Sequence, residues 1–357
     1  MSRVSPATRH YLALDGLRGV AALGVVAFHL SFVLGSLKPA SAYLAVDFFF
    51  VLSGFVVAHA YDNVLGSRFG WWAFCAKRIV RLYPIYAAGM ALAATAALVA
   101  VFVLHDADYW TARSLLIAIL CAAVMLPSPL PGHVFPLNAA AWSLFFELVA
   151  NIVYGSKILQ RGVWIWLVAA LAALGLVAEV WVTGSIDNGA TWLHPRWLTL
   201  LFGGFRVAYS FPVGLLLYRH RDRLRVPSLD VFTLGGVLTA LLWVAPTGVL
   251  RPIFDTVFVL VLSPLLVVIG SRCRVRAPRP AALCRLLGSI SYPIYALHLP
   301  LIEVLVGISR RLALPLRLAW LPLTSLLALS FLVSVALAAD RLDRIVRRGL
   351  AQRRPST

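Results

Sequence analysis

The stretch Ala13-Leu-Asp-Gly-Leu-Arg-Gly-Val-Ala-Ala-Leu-Gly-Val-Val-Ala-Phe-His29 is strongly apolar, yet it carries an arginine at position 18 and a histidine at its end. At about 100° per residue, the step from Arg18 to His29 completes about three turns of an α-helix. Both side chains therefore lie on one face, separated by about 16 Å along the helix axis. Ionisable groups are costly in hydrocarbon, so the pattern indicates a functional face turned toward other helices or toward water.

The composition of the whole chain excludes a soluble globular protein. Hydrophobic residues make up 61% of the 357 residues and charged residues only 13%, whereas soluble domains carry about 25% charged residues. The apolar runs are about 20 residues long and lack the alternation of barrel strands, so they predict membrane-spanning helices. No cleavable signal peptide is evident, and we expect the first apolar segment to remain as the first span.

Eleven apolar segments follow one another, at approximately 14–35, 42–61, 83–104, 113–126, 139–156, 163–183, 197–218, 231–246, 254–270, 286–306 and 318–339. Basic residues concentrate in alternate connections, which the positive-inside rule places in the cytoplasm together with both termini. A chain with both ends on one side crosses an even number of times, so one segment does not span. Segment 113–126 is the shortest, which favours a re-entrant or interfacial helix. The predicted fold is an all-α polytopic membrane protein with about ten transmembrane helices and this one embedded helix.

We predict a single integral-membrane domain over residues 1–357, with short basic cytoplasmic tails at 1–12 and 340–357. The net charge of +18 is explained by basic loops that set the topology and contact anionic lipid headgroups, so nucleic acid is not an expected partner. The four cysteines form no CxxC pair, and three of them lie at predicted cytoplasmic edges, where thiols stay reduced. We assign them neither a disulfide nor a metal, and the sequence leaves the oligomeric state open.

Five motifs occur in order over most of the chain. They are Leu14-Asp-Gly-Leu-Arg-Gly19 leading to His29, Val46-Asp-Phe-Phe-Phe-Val-Leu-Ser-Gly-Phe55, Arg78-Ile-Val-Arg81-Leu-Tyr-Pro84, Trp142-Ser-Leu-Phe-Phe-Glu147 and Ile290-Ser-Tyr-Pro-Ile-Tyr-Ala-Leu-His298-Leu-Pro300. Together they resemble the membrane-bound acyltransferase-3 family, which includes bacterial O-acyltransferases of surface polysaccharides. The resemblance implies transfer of an acyl group, commonly acetyl, from cytoplasmic acetyl-CoA or another acyl-CoA to a hydroxyl of a saccharide or related cell-envelope acceptor. It also implies an integral protein of the bacterial inner membrane, with acyl-CoA as a donor substrate and no permanently bound cofactor.

Under that hypothesis, His29 is the candidate general base, because a near-neutral pKa suits it to take a proton from the attacking alcohol. An acyl-histidine intermediate is the alternative, and the sequence does not separate the two. Arg18 is assigned to the same catalytic face, with Asp15 or the incoming donor as its partner; otherwise it is an arginine that snorkels to the interface. The rise from Arg18 to His29 is comparable to the reach of an extended pantetheine arm, so a donor is able to thread inward from one side.

Arg78 and Arg81 stand at the predicted cytoplasmic mouth, where neighbouring guanidinium groups suit the phosphates of CoA. The alternative is that both only set the topology. Glu147 is predicted to be buried at mid-depth and to need a partner. It either orients His29 or holds an acceptor hydroxyl, and otherwise it forms a structural pair with Arg206.

Four residues are predicted to contact the substrate, namely Asp47, Trp142, Arg206 and His298. His298 lies near the predicted depth of His29, although a hydrogen-bonded core histidine explains it equally well. Ser53-Gly54 is interpreted as a close-packing notch between helices rather than as a nucleophile.

Two other classes stay open. A proton-coupled transporter or a flippase of a lipid-linked saccharide also combines many spans with buried arginine, histidine and glutamate residues. A noncatalytic membrane scaffold has no need for an arginine and an imidazole on one stripe. Purified protein in liposomes separates these classes, because only an enzyme consumes the thioester donor and releases CoA.

Overall fold

The computed structural model of the chain describes residues 11–67, 70–105, 110–160, 162–187, 196–311 and 331–343. The regular elements of these residues are helices, which agrees with the predicted all-α class. In chain order the α-helices are α1 (Leu12–His29), α2 (Ser31–Leu34), α3 (Ala45–Tyr61), α4 (Trp71–Leu98), α5 (Ala112–Ala123), α6 (Ala141–Gly155), α7 (Gly162–Thr183), α8 (Arg196–His220), α9 (Val231–Trp243), α10 (Leu250–Val257), α11 (Ser263–Arg272) and α12 (Pro278–Arg311). Short 3₁₀ helices lie at Gly35–Leu37, Ala42–Leu44 and Ile158–Gln160, and a π-helix, Val99–Val103, continues α4. A five-residue π-helix, Phe258–Leu262, joins α10 to α11, and residues 331–343 form one more helix.

Seven helical stretches among the described residues are long and apolar enough to cross a membrane. They are Leu12–His29, Gly35–Tyr61, Trp71–Val103, Gly162–Thr183, Trp197–His220, Leu250–Arg272 and Pro278–Ile308. The predicted spans 139–156 and 231–246 correspond to the shorter helices α6 and α9, and segment 113–126 corresponds to the 12-residue α5. The described residues thus confirm the all-helical class and contain seven candidate membrane-spanning helices, while the count of ten and the side of each terminus stay predictions. Most of both predicted tails and the first part of predicted span 318–339 lie outside the described residues.

Two predicted helix boundaries are wrong. Helix α4 begins at Trp71 rather than at 83, because residues before 83 already bury one face, including Phe74 and Leu82. Arg78 and Arg81 therefore lie well inside a helix instead of at its opening. Helix α1 ends at His29 rather than at 35, so the histidine occupies its last turn.

The N-terminal helix packs closely along α12. Gly16 faces Cys284, and a side chain at Gly19 would collide with Leu287, whose backbone lies directly against it. Small residues of this kind let two helices approach closely where lipid gives no hydrophobic drive for association. The residue numbers in contact rise together along both helices, so α1 and α12 run parallel.

Helices α3 and α8 form a second close parallel pair. Gly54 and Gly214 face each other, and a side chain at Gly54 would collide with the Phe211 carbonyl oxygen. Near the other end, Arg219 donates from Nε and Nη2 to the two carboxylate oxygens of Asp62, at 2.8 and 3.0 Å. The predicted packing notch is thus confirmed at Gly54, which contacts α8.

The direction of both pairs agrees with the predicted topology. If segment 113–126 does not cross, α1 and α12 are the first and ninth spans, and α3 and α8 are the second and sixth. Spans whose ordinal numbers differ by an even number run in the same direction, and both pairs do so. If every other predicted segment crosses, a crossing by α5 would make α1 antiparallel to α12, contrary to the observed packing.

Helix α12 continues through Pro293 and Pro300. Pro300 has no N–H, so it leaves the carbonyl of Ala296, four residues earlier, without its intrahelical donor. The side-chain amide of buried Asn138 donates to that carbonyl at 3.0 Å. The loop before α6 is therefore fixed to the middle of α12, beside His298.

Candidate functional site

The predicted stripe on α1 faces α12 at both of its ends. Arg18 donates from Nε to the Ser291 hydroxyl at 2.8 Å and from Nη2 to the Gly288 carbonyl at 2.7 Å. The Asp15 carboxylate lies 3.5 Å from Nη2, which realises one of the two predicted partners. Eleven residues further along, His29 meets His298 on the same neighbouring helix. The shared face inferred from helical periodicity is thus observed as a shared partner helix.

His29 and His298 form a hydrogen-bonded pair. Nε2 of His298 lies 3.2 Å from Nδ1 of His29, and Nδ1 of His29 also lies 2.9 Å from the Val25 carbonyl oxygen. The other nitrogen of His298, Nδ1, lies 2.7 Å from the Tyr295 carbonyl oxygen. The sequence predicts only a similar depth for His29 and His298, with either a substrate contact or a core hydrogen bond for His298. The structure brings the two rings together and buries His298 completely, outside both cavity walls described below.

The two carbonyl contacts fix the tautomers of this pair. A carbonyl oxygen only accepts, so both Nδ1 atoms must carry the hydrogen. Nε2 of neutral His298 is then an acceptor for His29, and Nε2 of neutral His29 carries the free lone pair. His298 is completely buried, whereas His29 is partly exposed. His29 is consequently the member of the pair whose basic nitrogen is available to another molecule.

A cleft that we call the arginine cavity opens between α1, α3, α4, α6 and α12. Its volume is about 770 Å³ including open solvent. Arg81 in this cleft is exposed and Arg18 is partly exposed, whereas Arg78 is only 3% exposed. The polar side chains on its wall include Arg18, Ser53, Arg78, Arg81, Glu147 and Tyr295.

Glu147 has different partners from those predicted. Arg78 Nη2 donates to Glu147 Oε1 at 3.0 Å, and the Ser53 hydroxyl donates to the same oxygen at 2.9 Å. Among the described residues, no hydrogen bond joins Glu147 to His29 or Arg206. The predicted pairings of Glu147 with His29 and with Arg206 are therefore wrong. Glu147 faces α4 instead, and α4 carries Arg78. Nε of Arg78 is buried and has no partner among the described residues, so one donor in this cavity is still unused.

A second cleft, which we call the histidine cavity, has a volume of about 890 Å³ including open solvent. Arg206 lines it with its guanidinium group 4.9 Å from the centre of the Trp142 ring, a cation–π stacking distance. Trp142 in turn makes edge contacts with Phe50 and Phe146. The polar and aromatic wall includes His29, His133, Trp142, Asp187, Arg206 and Tyr295.

Asp47 is placed differently from its predicted role. It is fully buried, is not part of either cavity wall, and binds Arg206 through two hydrogen bonds of 3.1 and 2.6 Å. Nη2 of Arg206 also donates to the Tyr43 carbonyl at 3.0 Å. The geometry therefore corrects the predicted substrate contact of Asp47, which instead holds Arg206 against Trp142.

Two ionisable groups of the histidine cavity lie outside the spans. Burial lowers the pKa of His133, so its imidazole is neutral at neutral pH. Burial raises the pKa of Asp187, and the positive charge of Arg206 opposes that effect. These groups add further hydrogen-bonding capacity beside the Arg206 guanidinium.

The two cavities share two wall residues, Val46 and Tyr295. Tyr295 lies 5.7 Å from His298 between ring centres, and its hydroxyl is 2.7 Å from the Ser143 hydroxyl. Tyr295 and Ser143 lie within two of the five sequence motifs, which by themselves assign no role to either side chain. The available signal was spacing, because Tyr295 stands three residues before His298 and so shares its helix face.

Comparisons with known proteins identify relatives of this chain. A family profile described as an acyltransferase domain matches residues 11–339. "Protein 2 in picA locus" of Rhizobium radiobacter is 43% identical over 162 residues, which is 42% of this chain and 83% of that protein. "Exopolysaccharide production protein ExoZ" of Rhizobium meliloti is 29% identical over 258 residues, 71% of this chain and 74% of that protein.

A third relative matches a shorter part. "Putative peptidoglycan O-acetyltransferase YrhL" of Bacillus subtilis is 38% identical over 80 residues, which is 21% of this chain and 12% of that protein. No solved structure gives a significant match. Because the family profile covers residues 11–339 and the picA-locus protein is similar over 83% of its length, this chain belongs to the acyltransferase-3 family and is an acyltransferase.

Proposed function

We propose that this enzyme transfers an acyl group, acetyl in the first instance, from acyl-CoA in the arginine cavity to a hydroxyl of a saccharide in the histidine cavity. The observation that carries the proposal is that two cavities of different chemistry share a wall beside the His29–His298 pair. Acyl-CoA is a substrate in this scheme, and no resident cofactor is proposed.

The arginine cavity suits a polyanionic donor. Three guanidinium groups, those of Arg18, Arg78 and Arg81, line this cleft, and Glu147 is the one carboxylate that the described residues place on its wall. Arg81 is exposed and Arg18 partly exposed, so their guanidinium groups are accessible donors for the phosphate oxygens of CoA, while buried Arg78 adds positive charge behind them. The positive charge of this cavity supports binding of the CoA phosphates.

The histidine cavity suits a neutral or weakly charged sugar. Aromatic rings line it next to hydrogen-bonding groups from His133, Asp187, Thr199 and Arg206, and such mixed walls are typical of sites that orient a small polyhydroxyl ligand. Two relatives carry names that refer to exopolysaccharide and peptidoglycan, which supports a saccharide acceptor for this chain.

The lone pair on Nε2 of His29 serves as the general base of the proposed reaction. In the proposed step, Nε2 of His29 takes the proton of the acceptor hydroxyl while the hydroxyl oxygen attacks the thioester carbonyl carbon. The carbon–sulfur bond then breaks, and the departing sulfur takes up that proton as CoA leaves. His298 accepts the Nδ1 hydrogen bond throughout and holds the reactive tautomer. An acyl-His29 intermediate stays the alternative, since it uses the same nitrogen.

The proposal includes a membrane arrangement. We place the whole chain in one integral domain of the bacterial cytoplasmic membrane, with both termini in the cytoplasm. The arginine cavity then faces the cytoplasm, where acyl-CoA is made, and the histidine cavity faces the opposite side. The basic loops and the parallel packing of α1 with α12 support this orientation.

Reconstituted protein tests the proposal. Purified enzyme in liposomes receives acetyl-labelled acetyl-CoA with a simple methyl glycoside, and both thiol release and label on the glycoside are measured. We expect thiol and acetylated glycoside in equal amounts. Movement of a solute across the membrane without thiol release would instead indicate the transporter or flippase. Comparison of surface-glycan acetylation in cells with and without the gene then identifies the natural acceptor.

Arg81→Ala is expected to raise the apparent KM for acetyl-CoA by about tenfold or more while kcat changes little, because it removes one charged hydrogen-bond donor from the donor site. Arg78→Ala is a less clean test, since it also leaves Glu147 without its ion-pair partner. Steady-state kinetics over a range of acetyl-CoA concentrations measures the effect.

Lys77→Ala is the matched control for the arginine variant. Lys77 carries the same charge on the same helix, is exposed, and lines neither cavity. We expect its KM to equal that of the wild type. Equal KM values for Arg81→Ala and the wild type would remove Arg81 from the donor site.

A further inference from the structure

Tyr295 stands where donor and acceptor have to meet. Among the described residues, it alone has a hydrogen-bonding side chain on the walls of both cavities, since the other shared residue is Val46. Its side chain is 6% exposed, so its hydroxyl acts in a site with little bulk water. A hydrogen bond in such surroundings is stronger than the same bond in water.

The tyrosine is held in fixed relation to the histidine pair. Tyr295 and His298 lie one turn apart on α12, and the Tyr295 carbonyl accepts the Nδ1 hydrogen of His298 at 2.7 Å. The Tyr295 ring also packs edge-on against Phe49, with ring centres 5.6 Å apart. The hydroxyl position is therefore set by the same helix that positions His298 beside His29.

Ser143 gives the tyrosine hydroxyl two arrangements. The Ser143 hydroxyl lies 3.0 Å from the Ala140 carbonyl and 2.7 Å from the Tyr295 hydroxyl. When Ser143 donates to Ala140, the Tyr295 hydroxyl donates to Ser143. When the Ser143 hydrogen turns to Tyr295, the tyrosine hydrogen is released toward the cavities, and only hydroxyl rotation is needed. In that second arrangement Ser143 also polarises the phenol and strengthens it as a donor.

We infer that Tyr295 is a catalytic residue whose hydroxyl donates a hydrogen bond to the thioester carbonyl oxygen as that oxygen gains negative charge. The inference rests on the proposed function. As the acceptor oxygen bonds to the carbonyl carbon, His29 holds the acceptor proton and the carbonyl electron pair moves onto oxygen. Tyr295 keeps its own proton throughout. When the carbonyl re-forms and the carbon–sulfur bond breaks, the hydrogen bond weakens and the sulfur receives the proton from His29.

Tyr295→Phe tests the inference, because it removes the hydroxyl and keeps the ring. Loss of one oxyanion donor lowers kcat by about 10²–10³-fold in enzymes of this kind of chemistry, with substrate binding little changed. We expect that loss in kcat and KM values for acetyl-CoA and glycoside within about twofold of wild type. Tyr86→Phe is the matched control, since Tyr86 is also buried, donates to the Ala122 carbonyl at 2.8 Å, and lines neither cavity.

The outcomes separate the inference from the proposed function. A wild-type enzyme without turnover would overturn the proposed function itself. An active wild type together with a Tyr295→Phe variant that keeps kcat within tenfold, or changes only KM, would overturn the inference alone. If Tyr295→Phe does not fold, Ser143→Ala decides, because it leaves the tyrosine hydroxyl in place. We expect that variant to lose less than tenfold in kcat with KM unchanged, because the phenol keeps its hydrogen and loses only its polarisation by Ser143. A hundredfold loss would overturn the inference, because activity would then depend on the link between α6 and α12 rather than on the tyrosine donor.

Discussion

Replacing His29 with alanine is expected to lower kcat for acyl transfer by about 10²–10⁴-fold, the usual contribution of a positioned general base. The variant loses the only nitrogen of the His29–His298 pair that has a free lone pair in the neutral tautomers. The KM for acetyl-CoA should change little, because the arginine cavity and its three guanidinium groups stay intact. Thiol release from acetyl-CoA by purified protein measures kcat, and size-exclusion profiles in detergent establish that the variant is folded.

His298→Asn is the informative companion to this variant. Asparagine keeps a side-chain acceptor near Nδ1 of His29 but cannot share a positive charge with it. We expect a smaller loss of kcat and an altered pH–rate profile, since His298 acts through His29 rather than on substrate. A folded His29→Ala enzyme with a tenth or more of wild-type activity would exclude His29 from the chemistry. Acid-quenched protein that carries the acetyl label on His29 would favour the acyl-histidine route over the general base.

The sequence predicts those features of the site that depend on the spacing of residues within one helix. Arg18 and His29 share a face because of the helical period, and both were found against α12. Tyr295 and His298 obey the same rule on α12. Pairings between distant helices follow no such rule, because they depend on how each helix is rotated in the bundle. For this reason the sequence offered Arg206 as a partner of Glu147, whereas the folded chain joins Glu147 to Arg78.

The fold, too, was predictable within single segments and less so at their ends. Apolar runs located the helices and gave the all-α class, and charge in the loops gave a topology with which the parallel packing of α1 and α12 agrees. Hydropathy missed the first turns of α4, because an amphipathic stretch containing Lys77 and Arg78 lowers the local average although one face is buried. Hydropathy also overestimated the lengths of α6 and α9, which have 15 and 13 residues. A hydropathy average does not distinguish apolar loop residues at a helix end from the helix itself.

Asp47→Ala is expected to destabilise the protein by about 3–5 kcal/mol, the cost of leaving one partner of a buried ion pair without compensation. Asp47 has no exposed surface and Arg206 is 4% exposed, so water does not replace the lost carboxylate. The variant should unfold at markedly lower temperature in detergent, as measured by size-exclusion profiles after heating. It should also raise the KM for the glycoside, since Arg206 is no longer held against Trp142 on the wall of the histidine cavity.

The pair between Asp62 and Arg219 provides a matched control on the same two helices. It has the same two bonds from the arginine, and Asp62 also accepts from the Tyr154 hydroxyl at 2.8 Å. Its side chains are 16% and 23% exposed, so water reaches Arg219 in Asp62→Ala and that variant should cost less than Asp47→Ala. A double variant, Asp47→Leu with Arg206→Met, removes both buried charges and should recover most of the stability. Because that double variant lacks the guanidinium of the histidine cavity, we expect it to stay defective toward the glycoside and normal toward acetyl-CoA. Recovery of glycoside KM together with stability would mean that Arg206 serves only the packing of α3 against α8.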